Sequence, residues 1–157
     1  MAMTPAIRAA EAAKVSFRVL EYVHDPAAAS YGLEAAEALN VEPHEVFKTL
    51  VVQSEAGKLA VGVVPVVAQL DLKAMAAALG VKRVALADPS LAERTTGYVV
   101  GGISPLGQRK PLPTVVDESL IGLDTVYVSA GRRGLEMALL PSDLVRLCRA
   151  TVATIAR

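Results

Sequence analysis

Tryptophan is absent, and the 157 residues hold only two Phe, four Tyr, two His and one Cys. With so few aromatic side chains, the core of the chain must be mainly aliphatic. A lone cysteine, Cys148, excludes an internal disulfide and fits a reducing cytoplasm. His24 and His44 stand far apart in sequence with no Cys beside them, so no metal-ligand spacing is present and no metal is expected. No apolar run reaches the roughly 18 residues that a membrane span needs. The first residues alternate with Arg8, Glu11 and Lys14, unlike a signal peptide. Net charge is also missing: 16 basic residues balance 16 acidic ones. That argues against strong unaided binding to nucleic acid, which usually shows a basic excess. No repeat, linker or low-complexity segment appears.

What the chain does have is 53% hydrophobic residues, much of it alanine, at a length suited to one domain over 1–157 with one sizeable core. Thr4-Pro5 supplies a cap and a first-turn proline for a helix. Ser16 to His24 reads as a strand, with Phe17, Val19 and Val23 on one face and Leu20 and Tyr22 on the other. Apolar residues on both faces place it centrally in a sheet. A helix is expected over about Leu33–Leu39. Val46 to Val52 is the best strand signal, and Leu59 to Val64 returns antiparallel after the Gly57 turn. Asp71 caps a helix that Gly80 ends. A short strand over Lys82–Ala87 and a short helix from Asp88-Pro89 follow. Strands at Thr114–Asp117, Asp124–Ser129 and Leu135–Leu139 come next, then a last helix from Pro141 in which Cys148 is core. Strands outnumber helices and most connections are short, so the class is α+β with a largely antiparallel sheet.

Two features carry chemistry. The first is Thr96-Gly97-Tyr98-Val99-Val100-Gly101-Gly102-Ile103-Ser104-Pro105-Leu106-Gly107, followed by Arg109-Lys110. Adjacent glycines let a ligand approach bare backbone, although a simple turn between strands reads the same way. The second is Lys48, set among apolar and β-branched neighbours in a strand. Its ammonium can snorkel to solvent or point into a pocket. Lys82-Arg83, Arg94, Arg109-Lys110 and Arg132-Arg133 concentrate charge in the second half. They read as solvated surface, or as contacts to a phosphate backbone near a pocket. The chain shows neither a credible Ser-His-Asp order nor an activated cysteine. The remaining groups suit positioning and polarising a carbonyl more than forming a covalent intermediate.

The glycine-rich stretch resembles the signature of the YbaK family of aminoacyl-tRNA deacylases, relatives of the editing domain inserted in bacterial prolyl-tRNA synthetases. The resemblance extends through Met3-Thr4-Pro5-Ala6, His24-Asp25-Pro26, Val46-Phe47-Lys48-Thr49-Leu50, Gln69-Leu70-Asp71-Leu72-Lys73 and Tyr127-Val128-Ser129-Ala130-Gly131-Arg132-Arg133-Gly134-Leu135, in order. It implies a mixed, mostly antiparallel, curved sheet approaching a barrel, surrounded by helices. It also implies cleavage of Cys-tRNA(Pro), with Cys-tRNA(Cys) as a further substrate, in which the cysteinyl thiol attacks its own ester. No cofactor is implied, and prolyl-tRNA synthetase is the implied partner beside the aminoacyl-tRNA. Lys48 is then the principal catalytic lysine, reaching the terminal ribose-phosphate or the ester. Backbone groups of Gly101 and Gly102 hold the aminoacyl amine and carbonyl. Tyr22, Tyr31, Thr49 and Ser129 line the pocket, and Glu136 either joins them or is an outward strand residue. Two other readings stay open: hydrolysis of Ala-tRNA(Pro) by an ordered water, and a non-catalytic module that binds tRNA or a synthetase.

Overall fold

The computed structural model describes residues 3–157. In chain order the elements are α1 (Pro5–Ala12), β1 (Phe17–Glu21), α2 (Tyr31–Ala38), β2 (Phe47–Ser54), β3 (Leu59–Pro65), α3 (Leu72–Leu79), β4 (Val84–Leu86), α4 (Pro89–Thr96), β5 (Thr114–Asp117), β6 (Val126–Arg132), β7 (Leu135–Leu139), α5 (Pro141–Cys148) and β8 (Thr151–Ala153). Single 3-10 turns occupy Pro43–Glu45 and Glu118–Leu120.

The helix ends follow local chemistry. Thr4 Oγ1 accepts from the Ile7 N–H and Pro5 takes the first turn of α1. Asp71 accepts from Lys73 and Ala74 at the start of α3, and Gly80, at φ 72°, closes it in the left-handed region. The second helix starts earlier than the sequence suggests. Ser30 Oγ caps it through the Leu33 N–H, so Tyr31 and Gly32 are its first turn and not its approach.

The strands form two sheets. One has the order β1-β7-β6 and the other β4-β2-β3-β5-β8. Val46 bridges to Tyr127 in parallel and joins them at one point. The structure is thus α+β with one antiparallel and one mixed sheet and five α-helices among the described residues, as the sequence implies, but the curved sheet is two sheets and the barrel does not close. Most pairings are antiparallel. The exceptions, β3 with β5 and β5 with β8, are parallel, because long connections carrying helices return the chain in the same sense. The last strand, β8, has only three residues and leaves too short a pattern to read.

The expectation of a central first strand fails. β1 pairs only with β7 and lies at a sheet edge, and Val23 falls beyond it, 94% exposed. Both faces are apolar for another reason: Phe17 and Val19 pack on the main core, while Leu20 packs on a second cluster under α2.

The main core fills the space between the sheets. Phe47 and Val51 of β2 meet Val128 of β6 and Met137 of β7, with Ile7 of α1 and Leu144 of α5 closing the sides. The alternate residues Val52 and Val64 face away and pack on Met75 and Ala76 of α3. Full burial of each large side chain here contributes about 1.5–3 kcal/mol. Both faces of the five-stranded sheet are therefore covered, which is why β2 reads as a nearly continuous apolar run.

Candidate active site

The site lies where the two sheets come together. Along one edge of β2, the bridge to Tyr127 holds the start of the strand, and further on the Ala87 N–H donates to the Val51 carbonyl at 2.9 Å. Backbone groups alternate in direction along a strand, so the N–H and C=O of Thr49 point toward the same edge as those of Val51. Among the described residues no strand runs beside them there. This gap opens into a cavity of about 390 Å³, near the lower end of the ~300–1,000 Å³ range of ligand sites. Its walls come from the middle of β2, the first turn of α2, the segment from Leu86 to Ala92, the glycine-rich turn, Ser129 of β6 and Glu136 of β7.

Most of the lining is aliphatic, and three free polar groups interrupt it. Lys48 is half-buried, and burial holds its ammonium pKa below the usual value. Among the described residues no carboxylate stands within ion-pair distance of it. Glu136 is 7% exposed, and burial raises its carboxyl from 4.5 to about 8, so it is mainly protonated at neutral pH. The Glu136 Oε2 and Thr49 Oγ1 atoms are buried without a hydrogen-bond partner among the described residues. Leaving such a group unsatisfied costs about 1–3 kcal/mol. A bound polar ligand would recover that cost, so both atoms are prepared for one.

The other sequence-derived candidates separate into lining and support. Tyr31 and Gly101 line the cavity. Gly101 has φ 90°, and a Cβ there would lie 2.9 Å from the Tyr31 ring and from Arg133 Nε, so only glycine fits. Ser129 also lines it, but its hydroxyl is committed: it donates to the Gly102 carbonyl at 2.9 Å and accepts from the Gly131 N–H. Gly102 is not on the wall. Its N–H donates to the Val99 carbonyl, and a Cβ would meet the Arg132 backbone at 2.7 Å, so its bareness serves packing under the turn. Tyr22 is half-buried and is not among the lining residues. Its hydroxyl is pushed up to about 12 by burial, then by the carboxylates of Glu136 and Glu34. Thr96, Tyr98 and Ser104 are structural. The Thr96 hydroxyl donates to the Ala92 carbonyl, Tyr98 Oη to the Leu106 carbonyl, and Ser104 Oγ accepts from the Leu106 N–H. Cys148 is half-buried, its thiol donates to the Pro105 carbonyl at 3.5 Å, and burial of the sulfur pushes its pKa up to about 12.

Three features were not legible in the sequence. The open edge at Thr49 depends on which strands flank β2. Arg133 projects over the Tyr31 ring, its guanidinium carbon 5.0 Å from the centroid. His24 Nδ1 lies 2.7 Å from Glu34 Oε1, and the other oxygen of Glu34 accepts from the Asp25 N–H, so the approach to α2 is tied to the helix. Among the described residues, no cluster of three His, Cys, Asp or Glu is placed to hold a metal. No helix among them is long and apolar enough to cross a membrane.

The cavity thus lies between an antiparallel three-stranded sheet and a mixed five-stranded one, and among the described residues its wall carries one lysine, the bare Gly101 backbone and no paired nucleophile and base. Residues 25–147 match the family model described as "Aminoacyl-tRNA editing domain", and the chain belongs to this family, the YbaK-type deacylases of aminoacyl-tRNA. Among individual relatives, it is 36% identical over 154 residues to EbsC of Enterococcus faecalis, named as a candidate Cys-tRNA(Pro)/Cys-tRNA(Cys) deacylase, with 97% of this chain and 92% of that one covered. The fold matches the crystal structure of a candidate trans-editing enzyme for prolyl tRNA synthetase at TM-score 0.84 and 28% identity, covering 99% of each chain. It also matches the hypothetical protein APE2540 at TM-score 0.87 and 29% identity, covering 98% of this chain and 100% of that one.

Proposed function

We propose that the chain acts as a single trans-editing domain that clears Cys-tRNA(Pro), and Cys-tRNA(Cys) as a second substrate, by an attack of the substrate's own thiol. The observation that carries this reading is the content of the cavity. No His, Cys or Asp side chain lines it, the Ser129 hydroxyl is already bonded, and Glu136 is mainly protonated near pH 7. Such a pocket holds a substrate and stabilises charge, but it supplies no strong nucleophile of its own.

A cysteinyl ester brings the missing nucleophile. Its sulfur, after losing its proton, bonds to the ester carbonyl carbon. The carbon–oxygen bond to the terminal ribose then breaks, the electron pair goes to the ribose oxygen, and that oxygen takes up a proton. The products are a thiolactone and free tRNA. In this reading Lys48, which lines the cavity, stabilises the charge that develops near the ester, an effect worth about 10²–10³ in rate for one good donor. The Gly101 backbone, the edge of β2 at Thr49 and the Thr49 hydroxyl hold the aminoacyl group in reactive geometry. Prolyl-tRNA, which has no thiol, would be spared. Zero net charge gives weak intrinsic affinity for tRNA, which fits delivery by prolyl-tRNA synthetase.

One feature favours a second reading. Above about pH 8 Glu136 ionises, and its free Oε2 could then activate a water on an alanyl ester. The test is release of tRNA from Cys-, Ala- and Ser-tRNA(Pro) and from Cys-tRNA(Cys), by the native protein and by Lys48→Ala. Cleavage of the cysteinyl esters alone, lost in the variant, supports the thiol route. Cleavage of the alanyl ester that grows above pH 8 supports the water route. Binding without turnover of any ester, with or without prolyl-tRNA synthetase, leaves a non-catalytic module.

A further inference from the structure

Two adjacent arginines at one hairpin have different surroundings. Arg132 is the last residue of β6 and pairs with Leu135, so Arg133 and Gly134 form the tip of a two-residue turn. Arg132 has an acidic neighbour: its Nη2 lies 3.6 Å from Glu21 Oε2 of β1, across β7. Arg133 has no carboxylate within ion-pair distance among the described residues. Yet it is not loose. Its Nε donates to the Val100 carbonyl at 2.9 Å, and its guanidinium stacks 5.0 Å from the centre of the Tyr31 ring. Both contacts are residues of the cavity wall. An exposed arginine normally keeps its rotamers free, and holding one fixed costs side-chain entropy. Here that ordering is already done, at the cavity rim, with both Nη groups left unused.

We propose that Arg133 is a preset anchor for a phosphodiester of the terminal single-stranded nucleotides of tRNA, the group that must cross this rim when the aminoacyl end enters the cavity. A guanidinium presents a planar fork of donors that matches two phosphate oxygens, and pre-positioning makes that contact cheaper in entropy than one from a free lysine. The rim position also explains how a chain of zero net charge engages a polyanion. It needs one ordered contact beside the pocket, and not a broad basic face. Arg132, which faces solvent beside Glu21 and makes no contact with the cavity wall, takes no part.

The proposal rests on the editing reading of the cavity, but its test does not depend on which ester is cleaved. Affinity for uncharged tRNA(Pro) is measured over a series of salt concentrations for the native protein, Arg133→Gln, Arg133→Lys and Arg132→Gln. The same set is repeated on the tRNA lacking its last two nucleotides. Arg133→Gln is expected to weaken binding several-fold and to reduce the log–log salt slope by about 0.7, the value for one single-strand phosphate contact. Arg133→Lys keeps the slope with weaker binding, and Arg132→Gln leaves both unchanged. On the shortened tRNA the native protein falls to the level of Arg133→Gln, and that substitution has no further effect. An unchanged slope in Arg133→Gln overturns the proposal, as does an equal loss in Arg132→Gln or a loss that persists on the shortened tRNA. Failure of turnover with these binding results intact would fault the proposed reaction and leave the anchor standing.

Discussion

Replacing Glu136 by glutamine should make the protein less sensitive to pH in a defined window. The folded chain buries the carboxyl and raises it from 4.5 to about 8. An unfolded chain exposes it at its ordinary value. Between those two values the folded state holds a proton that the unfolded state has released. The contribution of Glu136 is therefore intact below about pH 4.5 and is lost as pH rises through about 8. With one proton at stake, the slope approaches about 1.4 kcal/mol per pH unit in mid-window, and about 2.5 kcal/mol should be lost between about pH 5.5 and about pH 7.5. The amide that Glu136→Gln introduces cannot ionise, so the variant lacks this term. The assay is urea unfolding of both proteins at the two pH values. The quantity to read is the difference between the two differences, which cancels every other group. Tyr22, raised to about 12, stays neutral throughout and does not confuse it. A double difference below about 0.5 kcal/mol would show that water reaches this carboxyl, and would remove the argument that Glu136 is neutral at pH 7.

Three other substitutions probe separate parts of the site and its frame. Gly101→Ala forces φ 90° on a residue with a Cβ that meets the Tyr31 ring at 2.9 Å. It should lower unfolding free energy by about 1–3 kcal/mol and raise KM, since the ring must move at the rim. Thr49→Val removes a buried hydroxyl that has no partner among the described residues, so stability should hold or rise by about 1 kcal/mol while turnover falls. Parallel losses of both would mean that the hydroxyl serves the fold. Asp117→Ala strips the acceptor for the N–H groups of Ile155, Ala156 and Ser119 and should cost about 2–4 kcal/mol in a denaturant titration. Burial opposes ionisation of Asp117, but these hydrogen bonds outweigh it and hold its pKa below 3.8. Its stabilisation is thus present above that value and is lost as pH falls through the lowered one.

Local chemistry was the legible part of the sequence. Thr4-Pro5, Asp71 and Gly80 each specify a helix end through backbone groups only a few residues away, and the structure uses each as the sequence suggests. The hairpins around Gly57 and Gly134 were equally plain. Pairing between distant segments was not. Apolar faces on β1 suggested a central strand, because a sequence shows that both faces are covered but not that one edge is free. The glycine pair shows the same limit. Both residues need a missing Cβ, but only contact with Tyr31 or with the Arg132 backbone decides which faces the cavity and which the interior. Glu136 could be read either way from alternation in β7. Its burial follows from the position of the opposite sheet, which no local pattern encodes.

The single bridge between Val46 and Tyr127 has a mechanical consequence. Within each sheet, strands are laced by ladders that resist shear, whereas between the sheets one bridge and aliphatic packing must carry the load. The seam is the softest line in the architecture, and the cavity lies along it. A small rotation of one sheet against the other changes the width of the cavity while breaking few hydrogen bonds. Amides at the seam should therefore exchange with solvent earlier than those inside either ladder. It follows that side chains at this seam can retune the breadth of the cavity through evolution while the rest of the scaffold keeps its sequence.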